Sequence, residues 1–590
     1  MTARRAPILA ALAVVVAGAV VASEASDGTP TAQPVGGRPG VQVPALPPDD
    51  VLASTWYCAA GTASEDGMAD HTVVVVNPGD TPVSGTLRVR TGELTEALAV
   101  DDALTAEDES APPEDEADDS ADDAGAGPSG PTGRDAPGEQ VAASPRMVEG
   151  ESAAAAAAAV PVQEPGVGDP WEEEGGVDET PIQETFELEP GGRTSVRLAD
   201  LVEAPLAAAL VEASAPVAVE HEVVGPDGRD AGPCASSAAS EWHLAYGVTT
   251  RNAREVLVLF NPFASTATVD VTFSTDDGVR EPQRYQGLPI PAGGVVGLDV
   301  GEDVTRKGHV STTVRARSGS LVVERLQSFD GSSGSRIHGL SVALATPEPL
   351  EAWGFATGVI GDGNREWIVL YNPGDERAEV DVSVRTAGES SPPPPYALTV
   401  RAGGYEVLEY GEDDRVPPRK GHVTIVRSSN GVPIVAERVL SIPGAPGWRE
   451  PDSEATGGDI SATTGAAFAD REWVLATLGR RDDDGRDRLV AYNPDPEETA
   501  TLDVRGIVDG RIVEPPERLD IDVPPGARVE VRLDGPLAAA GAAILAEADL
   551  PLVVERLAAS SDRVVQTVSP GIIGGEGPLA LADVDLGLTP

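Results

Sequence analysis

The stretch IVLYNPGD at residues 368–375 belongs to a pattern that occurs four times in this chain of 590 residues. A run of apolar residues leads directly into an Asn-Pro turn, which is typical of a strand that ends where proline has no N–H to donate. A tryptophan stands 19 to 21 residues before each of these asparagines. The other copies are VVVVNPGD at 73–80, LVLFNPFA at 257–264 and LVAYNPDP at 489–496.

The rest of each copy follows one order: an alternating strand, a Pro/Gly turn, and an apolar strand with a glutamate near its end. Short strands with such alternation, separated by turns at regular intervals, predict antiparallel sandwiches of about 100 residues each. We therefore expect an all-β chain of four tandem immunoglobulin-like β-sandwich repeats, arranged as an elongated rod. The repeat-defining residues, assigned to the fold, are Trp56, Trp242, Trp353, Trp473, Asn77, Asn261, Asn372, Asn493, Glu220, Glu324, Glu437 and Glu555.

The glutamate of the closing strand is followed by arginine in three copies and by His221 in the first. Adjacent residues on a strand point to opposite faces, so the two side chains of one Glu-Arg pair do not contact each other. We expect one of them to face a junction between repeats and the other to face solvent. The histidine in the first copy argues against a catalytic role shared by all copies.

An insertion at residues 93–184 separates the Asn-Pro turn of the first copy from its glycine turn. The distance from the asparagine to that glycine is 114 residues there and 31 to 33 in the other copies. Residues 101–123 hold twelve acidic side chains and no basic one. Because such a composition buries little apolar surface, we expect a disordered loop. It would be either an acidic brush that spaces the protein or gathers cations, or a tolerated expansion.

The N-terminus has the features of an export signal. Arg4 and Arg5 precede an apolar run over residues 6–22, which predicts a helix that is either cleaved or kept as a membrane anchor. The rest of the chain is then exported, to the cell envelope or beyond it. The predicted divisions are the signal or anchor (1–25), a linker (26–50), the first to fourth segments (51–240, 241–350, 351–466 and 467–575) and a tail (576–590).

Cys58 and Cys234 are the only two cysteines of the chain. In an exported protein a lone pair predicts one disulfide, which here links the two ends of the first segment. A zinc site is not expected, because the two thiols have no CxxC pattern and no neighbouring histidine.

The charge balance and the motifs exclude several functions. With 42 Lys+Arg against 97 Asp+Glu, the formal net charge is -55, whereas nucleic-acid binding needs a basic surface. His221-Glu222 lacks the second histidine of a zinc-protease helix, and residues 482–485 lack the spacing of a calcium loop. The repeated RKGHV, at 306–310 and 419–423, is either an anion-binding turn or, as we favour, a turn leading into a strand. We predict no cofactor, no metal and no enzymatic activity.

These motifs resemble the tandem sandwich repeats of bacterial surface proteins. The layout, with its apolar N-terminal segment and Trp56-Tyr57-Cys58 opening the folded part, resembles an uncharacterised actinobacterial envelope family classed as a domain of unknown function. The resemblance covers about residues 50–575. It implies an exported cell-surface protein and brings no catalytic residues.

The predicted function is that of a non-enzymatic spacer or binding scaffold at the cell surface. Its partners would be cell-wall glycan or another envelope protein, and it would meet the membrane only through its N-terminal segment. The first alternative is a glycan- or protein-binding adhesin, for which Trp367, Tyr405 and Trp448 are candidates for an exposed patch. A more remote alternative is a hydrolase of unfamiliar type, which would need clustered carboxylates in a pocket.

Overall fold

A computed structural model gives the structure of the chain. It describes residues 43–48, 51, 53–64, 67–95, 182–332, 337–361, 363–386, 392–412, 414–442, 459–476, 487–539, 541–558, 567–575 and 577–584. The apolar run over 6–22, most of the acidic insertion, residues 482–485 and Trp448 lie outside these ranges. The described residues belong to one compact unit and form an all-β fold.

Strands β1 to β17 form the first two segments. The first segment contains β1 (Ser54–Cys58), β2 (Asp70–Val76), β3 (Val83–Leu94), β4 (Gln183–Leu188), β5 (Arg193–Arg197), β6 (Leu206–Ala213), β7 (Ala218–Gly225) and β8 (Gly228–Pro233). The second contains β9 (Glu241–Leu244), β10 (Ala253–Phe260), β11 (Ala267–Thr275), β12 (Gly278–Arg280), β13 (Gln286–Ile290), β14 (Val295–Asp299), β15 (Val310–Ser318), β16 (Val322–Asp330) and β17 (His338–Leu344).

Strands β18 to β35 form the other two segments. The third segment contains β18 (Ala352–Phe355), β19 (Arg365–Asn372), β20 (Ala378–Thr386), β21 (Tyr396–Val400), β22 (Gly404–Glu409), β23 (His422–Ser428), β24 (Val435–Ile442) and β25 (Asp459–Thr464). The fourth contains β26 (Phe468–Leu475), β27 (Arg488–Tyr492), β28 (Ala500–Val508), β29 (Arg511–Val513), β30 (Ile521–Val523), β31 (Arg528–Arg532), β32 (Ala543–Ala558), β33 (Thr567–Pro570), β34 (Ile572–Ile573) and β35 (Leu579–Ala580).

The segments share one strand order in two antiparallel sheets. The third segment has the orders β18-β23-β20-β21 and β22-β19-β24-β25. The first repeats them as β1-β6-β3-β4 and β5-β2-β7-β8, and the second as β9-β15-β11-β13 and β14-β10-β16-β17. In the fourth segment one long strand, β32, serves both sheets, because its first part pairs with β28 and its last part with β27. A short parallel pairing of β3 with β14 joins the first segment to the second.

The last residues of the strands that lead into Asn-Pro form an apolar run because both faces of their sheet are covered there. All residues from Val256 to Phe260 in β10 are buried, whereas β11 alternates between buried and half-buried positions. Alternation is the mark of a sheet with one solvated face, and a continuous apolar run is the mark of a sheet with two buried faces. One face of β10 packs with Trp242 of its own segment, and on the other face Phe260 contacts the ring of Tyr57 in the first segment.

The expectation of an elongated rod is wrong, because the fourth segment packs against the first. Val74 and Val219 of the first segment share an apolar cluster with Val474, Leu545 and Ile572 of the fourth. Apolar clusters of the same kind join the first to the second, the second to the third and the third to the fourth segment. The series of four segments therefore closes on itself.

The predicted disulfide is confirmed. Cys58, the last residue of β1, is bonded to Cys234, which directly follows β8, and both residues are buried. The bond fixes the end of β1 at the point where its chain reaches the second segment.

Helical structure within the described ranges is limited to short 3-10 turns, and none of it is long and apolar enough to cross a membrane. These turns are Leu198–Asp200, Gln283–Tyr285, Val300–Glu302, Pro516–Arg518, Gly535–Ala538 and Leu581–Asp583.

Candidate functional site at the buried junctions between segments

Each Asn-Pro turn is fixed by the asparagine side chain. The Asn261 amide donates to three carbonyl oxygens of two neighbouring turns at 2.8 to 3.0 Å, and its Oδ1 accepts the N–H of Phe263 at 3.1 Å. The asparagine thereby ties the turn after its own strand to the Pro/Gly turn. The equivalent residues bond in the same manner and are Asn77, Asn372 and Asn493.

The repeat tryptophans are buried inside their segments. The indole N–H of Trp242 donates to the carbonyl of Leu321 at 2.8 Å, and that of Trp353 donates to the carbonyl of Ile434 at 2.8 Å. Trp473 bonds in the same way at 3.0 Å, whereas the buried indole N–H of Trp56 has no partner among the described residues. In these positions the aromatic rings pack in the apolar cores of their segments.

The Glu-Arg motifs form buried ion pairs between segments. At the junction of the second and third segments, Arg325 Nη1 lies 2.9 Å from Glu437 Oε2, and both side chains are fully buried. Glu437 Oε1 also accepts the N–H of Ala245 at 2.7 Å, and Arg325 donates to the carbonyl of Tyr246. The glutamate of the third segment is therefore bound by both an arginine and a backbone amide of the second.

Two further junctions repeat this arrangement. Between the third and fourth segments, Arg438 Nη1 lies 2.9 Å from Glu555 Oε2, which also accepts the N–H of Thr357 at 2.7 Å. Between the fourth and first segments, Arg556 Nη1 lies 3.0 Å from Glu220 Oε2, and all four of these charged side chains are at most 1% exposed. The last of these pairs closes the series.

Strand alternation explains how one motif serves two junctions. Because adjacent residues point to opposite faces, each glutamate reaches back to the preceding segment while its neighbouring arginine reaches forward to the next. The prediction that the two do not pair with each other is confirmed by these contacts. The prediction that one of them faces solvent is wrong, since both faces of the strand are buried in junctions.

The junction between the first and second segments differs, because His221 occupies the position of the arginine. His221 Nε2 lies 3.7 Å from Glu324 Oε2, and His221 Nδ1 lies 3.0 Å from Nε2 of the buried His71. Glu324 Oε2 also accepts the N–H groups of Ala59 and Ala60 at 3.1 and 2.6 Å. Burial lowers the pKa of His71 to about 4 and raises that of Glu324 to about 8. Among the residues that the structure describes, this junction has no cation comparable to the three arginines.

A further titratable residue at each junction was not found by the sequence analysis. It lies six positions before the asparagine of each copy and is buried in all of them. Burial raises the pKa of Glu255 to about 8, although Arg325 acts in the opposite direction. In the third segment, Glu366 Oε2 lies 3.1 Å from Nε2 of His422. The spacing to asparagine was the available signal, and the residues are His71, Glu255, Glu366 and Asp487.

A glycine covers this buried position in three segments. A Cβ on Gly247 would lie 2.4 Å from a carboxylate oxygen of Glu255, and one on Gly358 would lie 2.9 Å from Oε1 of Glu366. In the first segment, Gly61 lies equally close to His71. Only glycine leaves room for the side chain below it.

A cavity of about 80 Å³ lies where all four segments meet. Three repeat tryptophans line it together with Val43 and Ile573. A cavity of this size can hold several water molecules, since one water needs about 10–15 Å³ of such space. The N-terminal stretch reaches this place by pairing with the fourth segment, since Leu46 donates its N–H to the carbonyl of Ile573 at 2.8 Å.

The RKGHV turns lead into strands, as favoured from the sequence. Arg306 and Arg419 both have positive φ, of 60° and 65°, and strands β15 and β23 begin a few residues later. Lys307 Nζ lies 2.7 Å from Asp276 Oδ1 and 2.5 Å from Asp277 Oδ2. These carboxylates already neutralise the lysine proposed for an anion.

Two of the adhesin candidates are half-buried beside the second and third segments. Trp367 stacks with the guanidinium of Arg365, whose Cζ lies 4.7 Å from the centre of its ring. Tyr405 lies 5.8 Å from the ring of His309. Both pack against the apolar cluster that joins these segments.

The geometry defines the class of protein: it is an all-β protein in which recurring polar side chains bind adjoining segments to one another. No group of residues that could hold a metal ion occurs within the part of the chain that the structure describes. Removing either partner of one of these buried ion pairs leaves the other charge buried and uncompensated, which is costly.

Comparison with known proteins agrees with the predicted resemblance to an uncharacterised family. Residues 225–437 match a family described as "Family of unknown function (DUF5719)". No curated protein matches the chain.

Solved structures similar to part of the chain include the Anabaena sensory rhodopsin transducer. It is 26% identical over 15% of this chain and 83% of its own length, with a TM-score of 0.14. A second is the crystal structure of Thermotoga maritima 1070, 19% identical over 20% of this chain and 95% of its own, with a TM-score of 0.16.

Proposed function

We propose that the chain is a non-catalytic binding scaffold of four immunoglobulin-like sandwiches, closed into a ring and exported to the cell envelope. The sandwiches correspond to residues 51–240, 241–350, 351–466 and 467–575. Their ligand would be cell-wall glycan or another envelope protein. A spacer is the weaker candidate, because contact between the fourth and first segments removes the length that a rod would provide.

One observation carries the proposal: the recurring side chains that could take part in a reaction are buried in the junctions between segments. Glu437, Arg438 and Glu555 are fully buried and bound to one another or to backbone groups of adjoining segments. A group in that position is not accessible to a substrate. The repeat therefore supplies a stable frame, and binding falls to surfaces that differ between the segments.

Two further features support export. The Cys58–Cys234 bond is of a kind that persists outside the reducing cytosol, and the apolar run over residues 6–22 has the composition of an export signal.

Strands β3 and β4, which flank the acidic insertion, are paired from Val83 to Arg88, so the insertion starts and ends on the folded frame.

The test is a binding assay with the exported protein and a variant in which a short Gly-Ser linker replaces residues 96–181. Both are immobilised and exposed to purified cell-wall glycan and to solubilised envelope proteins. Saturable binding by both forms supports a scaffold that binds through its folded surface, and binding by the intact form alone assigns the contact to the insertion.

A catalytic control accompanies the assay. Incubation with the same glycan should release no new reducing ends, and incubation with envelope proteins should release no new peptide termini. Release of either product in proportion to protein concentration, or no saturable binding by either form, would contradict the proposed function.

A further inference from the structure

We propose that the junction between the first and second segments is a proton-controlled latch, in which Glu324 fits beside His221 only while its carboxyl carries a proton. The latch comprises His71, His221 and Glu324 with the backbone of Ala59 and Ala60. It is separate from the proposed binding function and concerns how firmly the first two segments are held together.

A relay of hydrogen bonds sets the orientation of His221. Nδ1 of His71 lies 2.8 Å from the carbonyl oxygen of Ala207, which can only accept, so this nitrogen carries the proton. With a neutral ring, Nε2 of His71 is an acceptor, and Nδ1 of His221 donates to it at 3.0 Å. Nε2 of His221 is then left with a lone pair, 3.7 Å from Oε2 of Glu324.

Within the described ranges, the groups around Glu324 offer no cation to its ionised form. Strand β7 contributes His221, β2 contributes His71 behind it, and the end of β1 contributes the two backbone N–H groups. On its own strand, the guanidinium of Arg325 points away and binds Glu437. An ionised carboxylate would therefore face a lone pair, whereas the equivalent carboxylates at the other three junctions face an arginine.

The titration of these groups agrees with the geometry. Burial lowers the pKa of His221 well below its usual range, with a further contribution from His71, so the ring stays neutral at pH 7. Burial raises the pKa of Glu324 from 4.5 to about 8, against the opposing effect of two backbone hydrogen bonds. Because the closed junction binds the Glu324 proton more tightly than the open one, its stability falls as the pH rises from about 6.5 to about 8. Below pH 6.5 the closed junction is destabilised again, because His71 and His221 bind protons less tightly there than in the open form.

Two features unique to the first segment keep the loosening local. Residues Gly92–Leu94 of β3 pair in parallel with β14 of the second segment, so the two segments stay joined when the latch opens. The Cys58–Cys234 bond fixes the strand directly before Ala59 and Ala60, whose amides bind Glu324. The disulfide thus restrains the junction that lacks an arginine.

The experiment measures hydrogen exchange in peptides covering residues 54–62, in the full chain, between pH 6 and pH 9. Rates are corrected for the intrinsic effect of pH on exchange. With an unfolded pKa of 4.5 and a folded pKa of about 8, the equilibrium constant for opening should rise about tenfold between pH 7 and pH 9. Equal protection at these two pH values would overturn the proposal, and this measurement needs no variant.

Two matched substitutions give the second test. Glu324→Gln should abolish the pH dependence and be at least as protected as the wild type at pH 9, because a neutral amide replaces a neutral acid. Glu437→Gln, at a junction with an arginine, should lower protection of residues 242–249 at every pH, since it leaves Arg325 without its counter-charge. If Glu324→Gln behaves like Glu437→Gln and loses protection at pH 9, Glu324 acts as a carboxylate and the proposal fails.

Discussion

Replacing Arg438 by methionine should destabilise the protein far more than the loss of a single ion pair at the protein surface would. The guanidinium lies 2.9 Å from Glu555, both side chains are fully buried, and methionine keeps most of the side-chain length while removing the charge. Two unit charges about 4 Å apart at an effective dielectric constant of 20 attract by about 4 kcal/mol. Removing one partner of a buried pair costs about 3–5 kcal/mol, because the other charge stays buried without compensation.

Urea unfolding followed by tryptophan fluorescence measures this loss, since the repeat tryptophans are buried. Arg254→Met is the control: that arginine also lies 2.9 Å from its partner, Asp299, but its side chain is 45% exposed, and the expected loss is below about 1 kcal/mol. The double variant Arg438→Met/Glu555→Gln should recover at least half of the single variant's loss. The reasoning is refuted if the free energy of unfolding of the single variant lies within about 1 kcal/mol of that of the wild type. It is also refuted if the double variant is as unstable as the single variant.

Three other perturbations have defined outcomes. Non-reducing mass spectrometry should find the Cys58–Cys234 link in the exported protein, and reduction should lower the thermal unfolding midpoint; two free thiols before reduction would contradict this. Asn372→Ala removes two donated hydrogen bonds and one accepted hydrogen bond, and should lower the free energy of unfolding in urea by about 2–4 kcal/mol. A loss below about 1 kcal/mol would show that these turn hydrogen bonds are dispensable. Deleting residues 26–47, which keeps the predicted export signal, removes the backbone pairing of Leu46 and should increase hydrogen exchange around Ile573; unchanged exchange would mean that the fourth segment is fixed without it.

The sequence predicted the elements well because strand and turn signals are local. The Asn-Pro turns, the alternating strands and the disulfide could be predicted from residue types and spacing alone. The closure could not, because it depends on which distant surface covers the second face of each sheet. The signal was the unbroken apolar run before each asparagine, which indicates two buried faces and leaves the covering partner undetermined.

The contacts of the Glu-Arg motifs at the junctions could be predicted only in part, for a related reason. Alternation correctly separates glutamate from its neighbouring arginine, but a single copy considered alone leaves one of them facing water. Only the adjoining segment supplies the guanidinium of Arg325 to Glu437, from a position 112 residues away in the chain. His71 and Glu255 were missed because chemically different residues occupy their shared position, although its spacing to asparagine is constant.

The contact between the N-terminal stretch and the fourth segment has a consequence for the order of the segments in the gene. Ala45 of the N-terminal stretch forms a β-bridge with Ile573, which belongs to the fourth segment. A circularly permuted gene, in which the end of the fourth segment is linked to the start of the first and the chain is cut at a loop between two other segments, should keep the same neighbouring segments. The contacts between the segments therefore do not depend on which segment is translated first.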